Sequence, residues 1–448
     1  MRIIVAGAGE IGSHLAKMLS MEYHEITVIS PDPESLEDLA SDSDIVTVVG
    51  RPTSIETLVQ AGTGSADLFI AVNPDSEQDI NIVSAALAKK LGAKKVTARI
   101  NNEEYQKNDN RIIFTDLGID SLFYPEKIAA TEIVNLLKQN NASEFMNYSH
   151  GKLQLIVYRL EECSPMVDRT VAELRERTQN LFRSVAISRD GKTIIPKSAT
   201  RFKLGDVVYL VSKKEGMEQA LSLSGKPKVS VRNLMILGGG RIGEMVARSM
   251  EKQAENIKLI ELRPDRCAHL SEALDRTLVI NGDGRNSDLL MQEGLKDMEA
   301  FVAVTSSSET NILSCVVAKR MGIPKVIAEV ENFEYIKLAE EMGVDSVINK
   351  KLITAGKIFR FTLSNKVRSI KVLNGTDAVV LEFIVNTNSK ITTGRLKELN
   401  FPEEAIIGGY VRGNESFIAD SESTIRPYDQ VVVFANPDAV DKVDKFFL

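Results

Sequence analysis

Two stretches of this 448-residue chain carry residue types that could hold a phosphate. One is Ile4-Val5-Ala6-Gly7-Ala8-Gly9-Glu10-Ile11-Gly12, the other Ile236-Leu237-Gly238-Gly239-Gly240-Arg241-Ile242-Gly243. Each is an apolar run that opens into Gly-x-Gly-x-x-Gly and continues with helical periodicity. In such a turn the first glycine permits the sharp bend and the second lets a phosphate approach the backbone. The third lets helix pack closely on strand. The phosphate then rests on N–H groups that the first helical turn leaves unsatisfied. One copy is a weak signal; two, each between a strand and a helix, predict nucleotide binding.

The side chains around the two turns differ. A ribose diol is usually held by an acidic residue ending the second strand, about 20 residues past the glycines. Glu261 occupies that place in the second copy, but Ser30 does in the first, with Asp32 two residues on. After the third strand, Gly282-Asp283-Gly284 offers a carboxylate on flexible backbone, against Gly50-Arg51-Pro52 in the first copy. Arg241 can reach a phosphate with a forked, permanently charged donor, or form a solvated or interface salt bridge. Its counterpart Glu10 would repel a polyphosphate unless it turns away. Asn73 and Thr305 follow the fourth strands, where ligands lie outside the carboxyl ends. Arg99, after the fifth, shares that edge or makes an interlobe ion pair, and Glu329 matches it. The first site is therefore expected to be the weaker or reshaped one.

Other chemistries find little support. A hydride-transfer enzyme needs a proton relay and a substrate domain. No histidine falls on a strand end facing either turn, and no Gly-x-x-x-x-Gly-Lys-Ser/Thr loop is present. The pattern describes nucleotide sensing more readily than turnover. Cys163, Cys267 and Cys315 are scattered, and His14, His24, His150 and His269 form no metal-ligand spacing. Disulfides and structural zinc are not expected. A net charge of −7 opposes binding to nucleic acid or anionic lipid. No apolar run approaches the ~18–20 residues of a membrane span. Met1-Arg2-Ile3 enters a strand at once, so no signal peptide is expected and the chain reads as cytoplasmic.

The elements that must position these groups alternate strand and helix. Strands are predicted over Glu25–Ser30, Ile45–Val49, Leu68–Val72 and Lys95–Ala98, with helices over 13–19, 33–39, 54–61 and 79–91. Continuous apolar runs such as Leu68-Phe69-Ile70-Ala71-Val72 mark strands buried on both faces of a parallel sheet. The second half replays the first: Gly238 follows Gly7, and Ile260 follows Ile29, by the same 231 positions. Beyond each lobe, short β runs alternate with Gly/Asp turns; Arg189-Asp190-Gly191-Lys192 answers Arg412-Gly413-Asn414-Glu415. The expected class is α/β: two doubly wound, Rossmann-like parallel-sheet lobes, each followed by a small α+β domain. Boundaries are expected at 1–124 for the first lobe, 125–140 for a crossover helix and 141–224 for the first small domain. The second half repeats them at 229–349, 350–364 and 365–448. Ser224-Gly225-Lys226-Pro227-Lys228 would link the halves.

This doubled layout resembles the tandem RCK (KTN) domain family, the regulatory subunits of bacterial Trk-type potassium uptake systems. The two glycine motifs carry the resemblance, with Leu259-Ile260-Glu261, Glu309-Thr310-Asn311-Ile312 and Ile406-Ile407-Gly408-Gly409-Tyr410-Val411-Arg412-Gly413-Asn414. It implies lobes that bind NAD(H) or ATP/ADP and a gating ring beneath a membrane potassium channel subunit. It places Gly7 to Ile11 and Gly238 to Ile242 at the phosphates, Ser30 and Glu261 at the ribose, and Asn73, Arg99 and Thr305 on the pocket rim. A homo-oligomer, a tetramer giving eight lobes, would attach peripherally to the inner face of the plasma membrane. The apolar stripe Ile128-Ala129-Ala130-Thr131-Glu132-Ile133-Val134-Asn135-Leu136-Leu137 is a candidate oligomer face. The alternatives are an NAD-dependent oxidoreductase with a duplicated lobe, and a regulator of another channel or antiporter.

Overall fold

The structure, a computed structural model, describes residues 1–447 except 22–23, 43–44, 75–76, 139–141, 143, 178–179, 191, 226–230, 360–366 and 373–377. Most of the expected linker and the end of the second crossover helix fall outside the described residues.

The first lobe holds β1 (Arg2–Ala6), β2 (Glu25–Ser30), β3 (Ile45–Val49), β4 (Leu68–Ala71), β5 (Lys95–Arg99) and β6 (Ser121–Phe123). They form one parallel sheet in the order β3-β2-β1-β4-β5-β6. Around it lie α1 (Glu10–Met21), α2 (Pro33–Asp42), α3 (Ile55–Gln60), α4 (Gln78–Leu91) and α5 (Asn108–Asp116). The inner strands β1 and β4 are buried almost throughout, which is why they read as unbroken apolar runs. The order reverses between β1 and β4, and Gly7 follows β1 at that switch point.

Helix α6 (Pro125–Lys138) leads to the first small domain, with β7 (Glu144–Tyr148), β8 (Leu153–Arg159), α7 (Val171–Arg177), β9 (Phe182–Arg189), β10 (Lys192–Ile194), β11 (Val207–Lys213) and α8 (Met217–Ser222). Its antiparallel sheet runs β10-β9-β11-β8-β7. The second lobe repeats the first: β12 (Asn233–Leu237), α9 (Arg241–Met250), β13 (Asn256–Glu261), α10 (Pro264–Ala273), β14 (Thr277–Asn281), α11 (Ser287–Gln292), β15 (Ala300–Ala303), α12 (Ser308–Arg320), β16 (Lys325–Glu329), α13 (Phe333–Glu341) and β17 (Ser346–Ile348). Its order, β14-β13-β12-β15-β16-β17, is that of the first lobe. After α14 (Lys350–Phe359) come β18 (Val367–Val372), β19 (Val379–Ile384), β20 (Ala405–Arg412), β21 (Glu415–Ile418), β22 (Gln430–Ala435) and α15 (Val440–Phe447). These five strands repeat the first small sheet as β18-β19-β22-β20-β21.

The chain packs as two compact units. One joins Met1–Ile128 with the helix that begins at Lys350; the other holds Ala129–Asn349 and the chain from Ser364. In the first unit α14 lies along α1. His14 of α1 is held at about 4, below its usual 6.5, first by burial and then by the charge of Lys351. Between those values the unfolded chain takes up a proton that the folded lobe refuses. Stability of this unit is therefore full above pH 6.5 and should fall as the pH drops toward 4, by about 2–3 kcal/mol. A His14→Gln variant should flatten that limb of a melting-temperature profile.

In the second unit the two small sheets share one core, with Leu155, Val185, Tyr209 and Val211 against Val380, Val411, Val432 and Phe434. Gly408 explains the close approach: a Cβ there would stand 2.7 Å from Val211 Cγ2. The Ser149 N–H and hydroxyl both donate to Glu382 Oε1 at 2.7 Å, a buried tie between the sheets. Gly408→Val should destabilise this unit by about 1–3 kcal/mol through overpacking, read by chemical denaturation. The repeated Arg189–Asp206 and Arg412–Asp429 pairs are bidentate and pin equivalent loops in both small domains.

The stripe on α6 turns inward. Ala129, Ile133, Leu136 and Leu137 are all buried within the chain, so α6 offers no free apolar face for oligomerisation. The apolar side chains left exposed recur elsewhere. Val83, Ile113 and Leu117 of the first lobe match Leu313, Leu338 and Met342 of the second.

Candidate nucleotide sites

Each glycine turn is built by the close packing that its spacing predicts. Gly7 adopts φ +117 and donates its N–H to Ile29 O at 2.9 Å; Gly238 adopts φ +106 and donates to Ile260 O at 2.9 Å. A Cβ on Gly12 would lie 1.9 Å from Gly7 O, and one on Gly243 2.0 Å from Gly238 O. The middle glycines are different. A Cβ on Gly9 would meet only Pro74 Cγ, at 3.8 Å, and one on Gly240 would meet nothing within 4 Å. The backbone is thus uncovered where a phosphate would approach. The Gly240 position makes no side-chain cap on α9, and a helix start of this kind is where an anion can rest. Ala8, Ile11 and Ile242 are buried and anchor the turns, while Glu10 and Arg241 begin the helices and are exposed.

The second turn is held by charge. Glu261 is buried at the end of β13; its Oε2 accepts from the Gly239 N–H at 2.8 Å and its Oε1 from the Arg263 N–H at 2.9 Å. Arg266 of α10 donates Nε to Gly239 O at 2.7 Å and Nη2 to Glu244 Oε2 at 2.6 Å. Burial alone would raise the Glu244 carboxyl, but Arg266 and Arg248 overrule it and hold it below its usual range. Asp283 is gripped by Arg285 through Nε, Nη2 and the backbone N–H, which lowers its carboxyl as well.

The first turn is held by hydroxyls at the same positions. Ser13 Oγ donates to Ala8 O at 2.8 Å, doing for that carbonyl what Arg266 does for Gly239. Ser30, also buried, accepts from the Asp32 N–H at 3.2 Å and lies 3.2 Å from Ser35 Oγ. Ser13, Ser30 and Ser35 stand 231 positions before Glu244, Glu261 and Arg266. One neutral triad has been exchanged for one charged triad. Sequence reading found only the middle member, because the outer two mean nothing until the turn's carbonyl is seen to need a donor.

The rim residues are drawn into the fold. Asn73 is buried and gives its N–H and its side-chain amide to Asn81 Oδ1, at 2.8 and 2.9 Å. Thr305 gives its N–H and hydroxyl to Asn311 Oδ1, at 2.9 and 2.7 Å. Asn81 and Asn311 each also donate to the carbonyl ending the next strand, Arg99 O and Glu329 O. These two asparagines fix the pocket edge and were missed as site residues, although both stand at matching places in the repeat. Arg99 pairs with Glu126 Oε1 at 3.0 Å, inside its own unit rather than between lobes. A cavity of about 310 Å³ lies at the opposite end of the second sheet, lined by Asn233, Lys258, Arg276 and Glu293, away from the glycine turn.

No helix among the described residues is long and apolar enough to cross a membrane. No cluster of three or more His, Cys, Asp or Glu side chains among them could hold a metal ion.

Comparison with known proteins agrees with this architecture. The TrkA-N domain model matches residues 3–125 and 234–350, and the TrkA-C domain model matches 155–225 and 380–448. A Trk system potassium uptake protein TrkA homolog from Archaeoglobus fulgidus is 34% identical over 448 residues, covering 100% of both chains. TrkA homolog 1 of Methanosarcina mazei is 30% identical over 457 residues, again covering 100% of both. Among solved structures, the GsuK channel bound to NAD superposes with a TM-score of 0.63 at 15% identity, over 100% of this chain and 78% of that one. The GsuK RCK domain gives 0.63 at 16% identity, over 99% and 94%. Two TrkA-N lobes alternating with two TrkA-C domains along a full-length match place the chain in the TrkA family of Trk-system potassium uptake proteins.

Proposed function

We propose that this chain is a non-enzymatic gating subunit of a Trk-type potassium uptake system, controlling a membrane channel subunit in response to NAD(H) or ATP/ADP. The observation that carries the reading is the pair of glycine turns with one geometry and two different electrostatic settings. A ligand shifts a channel only if it binds two states unequally, and two unequal sites on one chain supply two such inputs. Membership of the potassium-uptake family gives the partner class, and GsuK structures with NAD and with ADP support nucleotide as the ligand class. Glu261 and Arg266 at the second turn and Ser13 at the first hold backbone rather than form a proton relay, which favours sensing over an oxidoreductase.

Self-association follows from the recurring exposed residues. Val83, Ile113 and Leu117, matched by Leu313, Leu338 and Met342, leave apolar side chains exposed at repeated positions of both lobes, and a symmetric ring buries repeated surfaces. Attachment to the inner face of the plasma membrane would use protein contacts, since the chain carries a net charge of −7. The decisive experiment reconstitutes the chain with a Trk-type channel in proteoliposomes and measures potassium flux with ATP, ADP, NAD or NADH. Nucleotide-dependent flux that needs the chain supports the reading. Flux indifferent to every nucleotide, together with NADH turnover by the chain alone, would favour the oxidoreductase.

A further inference from the structure

We propose that the first nucleotide site is composite, with Lys351 of the second half supplying the phosphate-binding cation that the first lobe lacks. The proposal rests on the first turn binding nucleotide, and it adds which residue completes the site. The lobe's own residues are a poor match for a polyphosphate. Its turn is held by the neutral Ser13 hydroxyl, and the residue that begins α1, Glu10, is an acid placed beside the uncovered backbone of Gly9. Lys351 stands in the first turn of α14, which lies along α1 in the same compact unit. Its Nζ is 3.3 Å from Glu10 Oε2, and its side chain is only 16% exposed against 66% for the glutamate. The lysine is thus the fixed member of the pair and the glutamate the displaceable one.

The surroundings keep that cation where it is. His14, one turn below Glu10, is half-buried and held uncharged near neutral pH, first by desolvation and then by Lys351, so it does not compete for an anion. Lys17 lies further along the same helix, and Lys351 is ion-paired with Glu10. A phosphate seated on Gly9 and the start of α1 meets Lys351 once Glu10 swings to solvent. One charge pair is exchanged for another, at little net cost in desolvation. Arg241, at the position matching Glu10, gives the second turn a cation of its own, so only the first turn needs this one.

The test uses the full chain and 8-azido-ATP photolabelling, with labelled peptides assigned to residues 1–128 or 233–349. Unlabelled ATP and adenosine serve as competitors. Lys351→Ala should weaken ATP at the first lobe about tenfold, leave phosphate-free adenosine unchanged, and spare the second lobe. Lys351→Arg should retain ATP, and Glu10→Gln should tighten it severalfold. Equal ATP competition in wild type and Lys351→Ala, with the first lobe labelled, would overturn the composite site while leaving nucleotide binding there intact. No labelling of the first lobe in the wild type would overturn both. Unchanged adenosine competition in Lys351→Ala separates loss of a phosphate contact from loss of fold.

Discussion

Gly243→Ala should unfold or displace α9 and reduce adenine nucleotide binding at the second turn by at least a hundredfold. The added Cβ would stand 2.0 Å from Gly238 O and 3.2 Å from Gly238 C, both backbone atoms of a turn already tied to Ile260 O. No rotamer relieves such a clash, so the helix must move off the strand. Overpacking typically costs about 1–3 kcal/mol, and a backbone obstacle puts this site at or above the upper end. Gly240→Ala is the informative partner. Its Cβ meets nothing within 4 Å and its φ of −64 suits any residue, so the fold should melt unchanged. If phosphate seats where that backbone is uncovered, the methyl alone should still weaken ATP about tenfold. Thermal melting and calorimetry on both variants separate the effects. A Gly240→Ala chain that binds ATP like the wild type would move the phosphate elsewhere.

The parts of this molecule legible in its sequence are those governed by local rules. Continuous apolar runs gave the inner strands, glycine spacing gave both turns, and a constant offset of 231 gave the repeated lobe. Packing between distant segments was not legible. The stripe on α6 has the spacing of an oligomer face, and only tertiary structure shows it buried. Lys351 is one lysine among many until α14 is seen lying along α1. Gly408 and Gly409 stood out as a family motif, yet their reason lies across a sheet interface, where Val211 leaves no room for a side chain at Gly408. Arg266 and Glu244 stayed unnoticed because a guanidinium serving a backbone carbonyl leaves no mark in spacing.

That charged triad sets the second large expectation. Glu261→Ala should weaken adenine nucleotide at the second turn by about 10- to 100-fold, while Ser30→Ala should change the first by about 2- to 10-fold. Glu261 holds the Gly239 N–H, so its loss removes a tie on the glycine turn and, if the ribose binds at the end of β13, its acceptor too. Hydrogen bonds to a charged group contribute about 1.5–3 kcal/mol and neutral ones about 0.5–1.5, and every 1.4 kcal/mol is tenfold. The stronger test is transplantation. Ser13→Glu, Ser30→Glu and Ser35→Arg together rebuild in the first lobe the set that holds the second. Ser30→Glu alone buries an uncompensated charge, so that single variant should destabilise and the combination should recover stability. The triple variant should then bind adenine nucleotide at the first lobe at least tenfold more tightly than wild type. Recovered stability without tighter binding would show that the triad shapes the turn and does not choose the ligand.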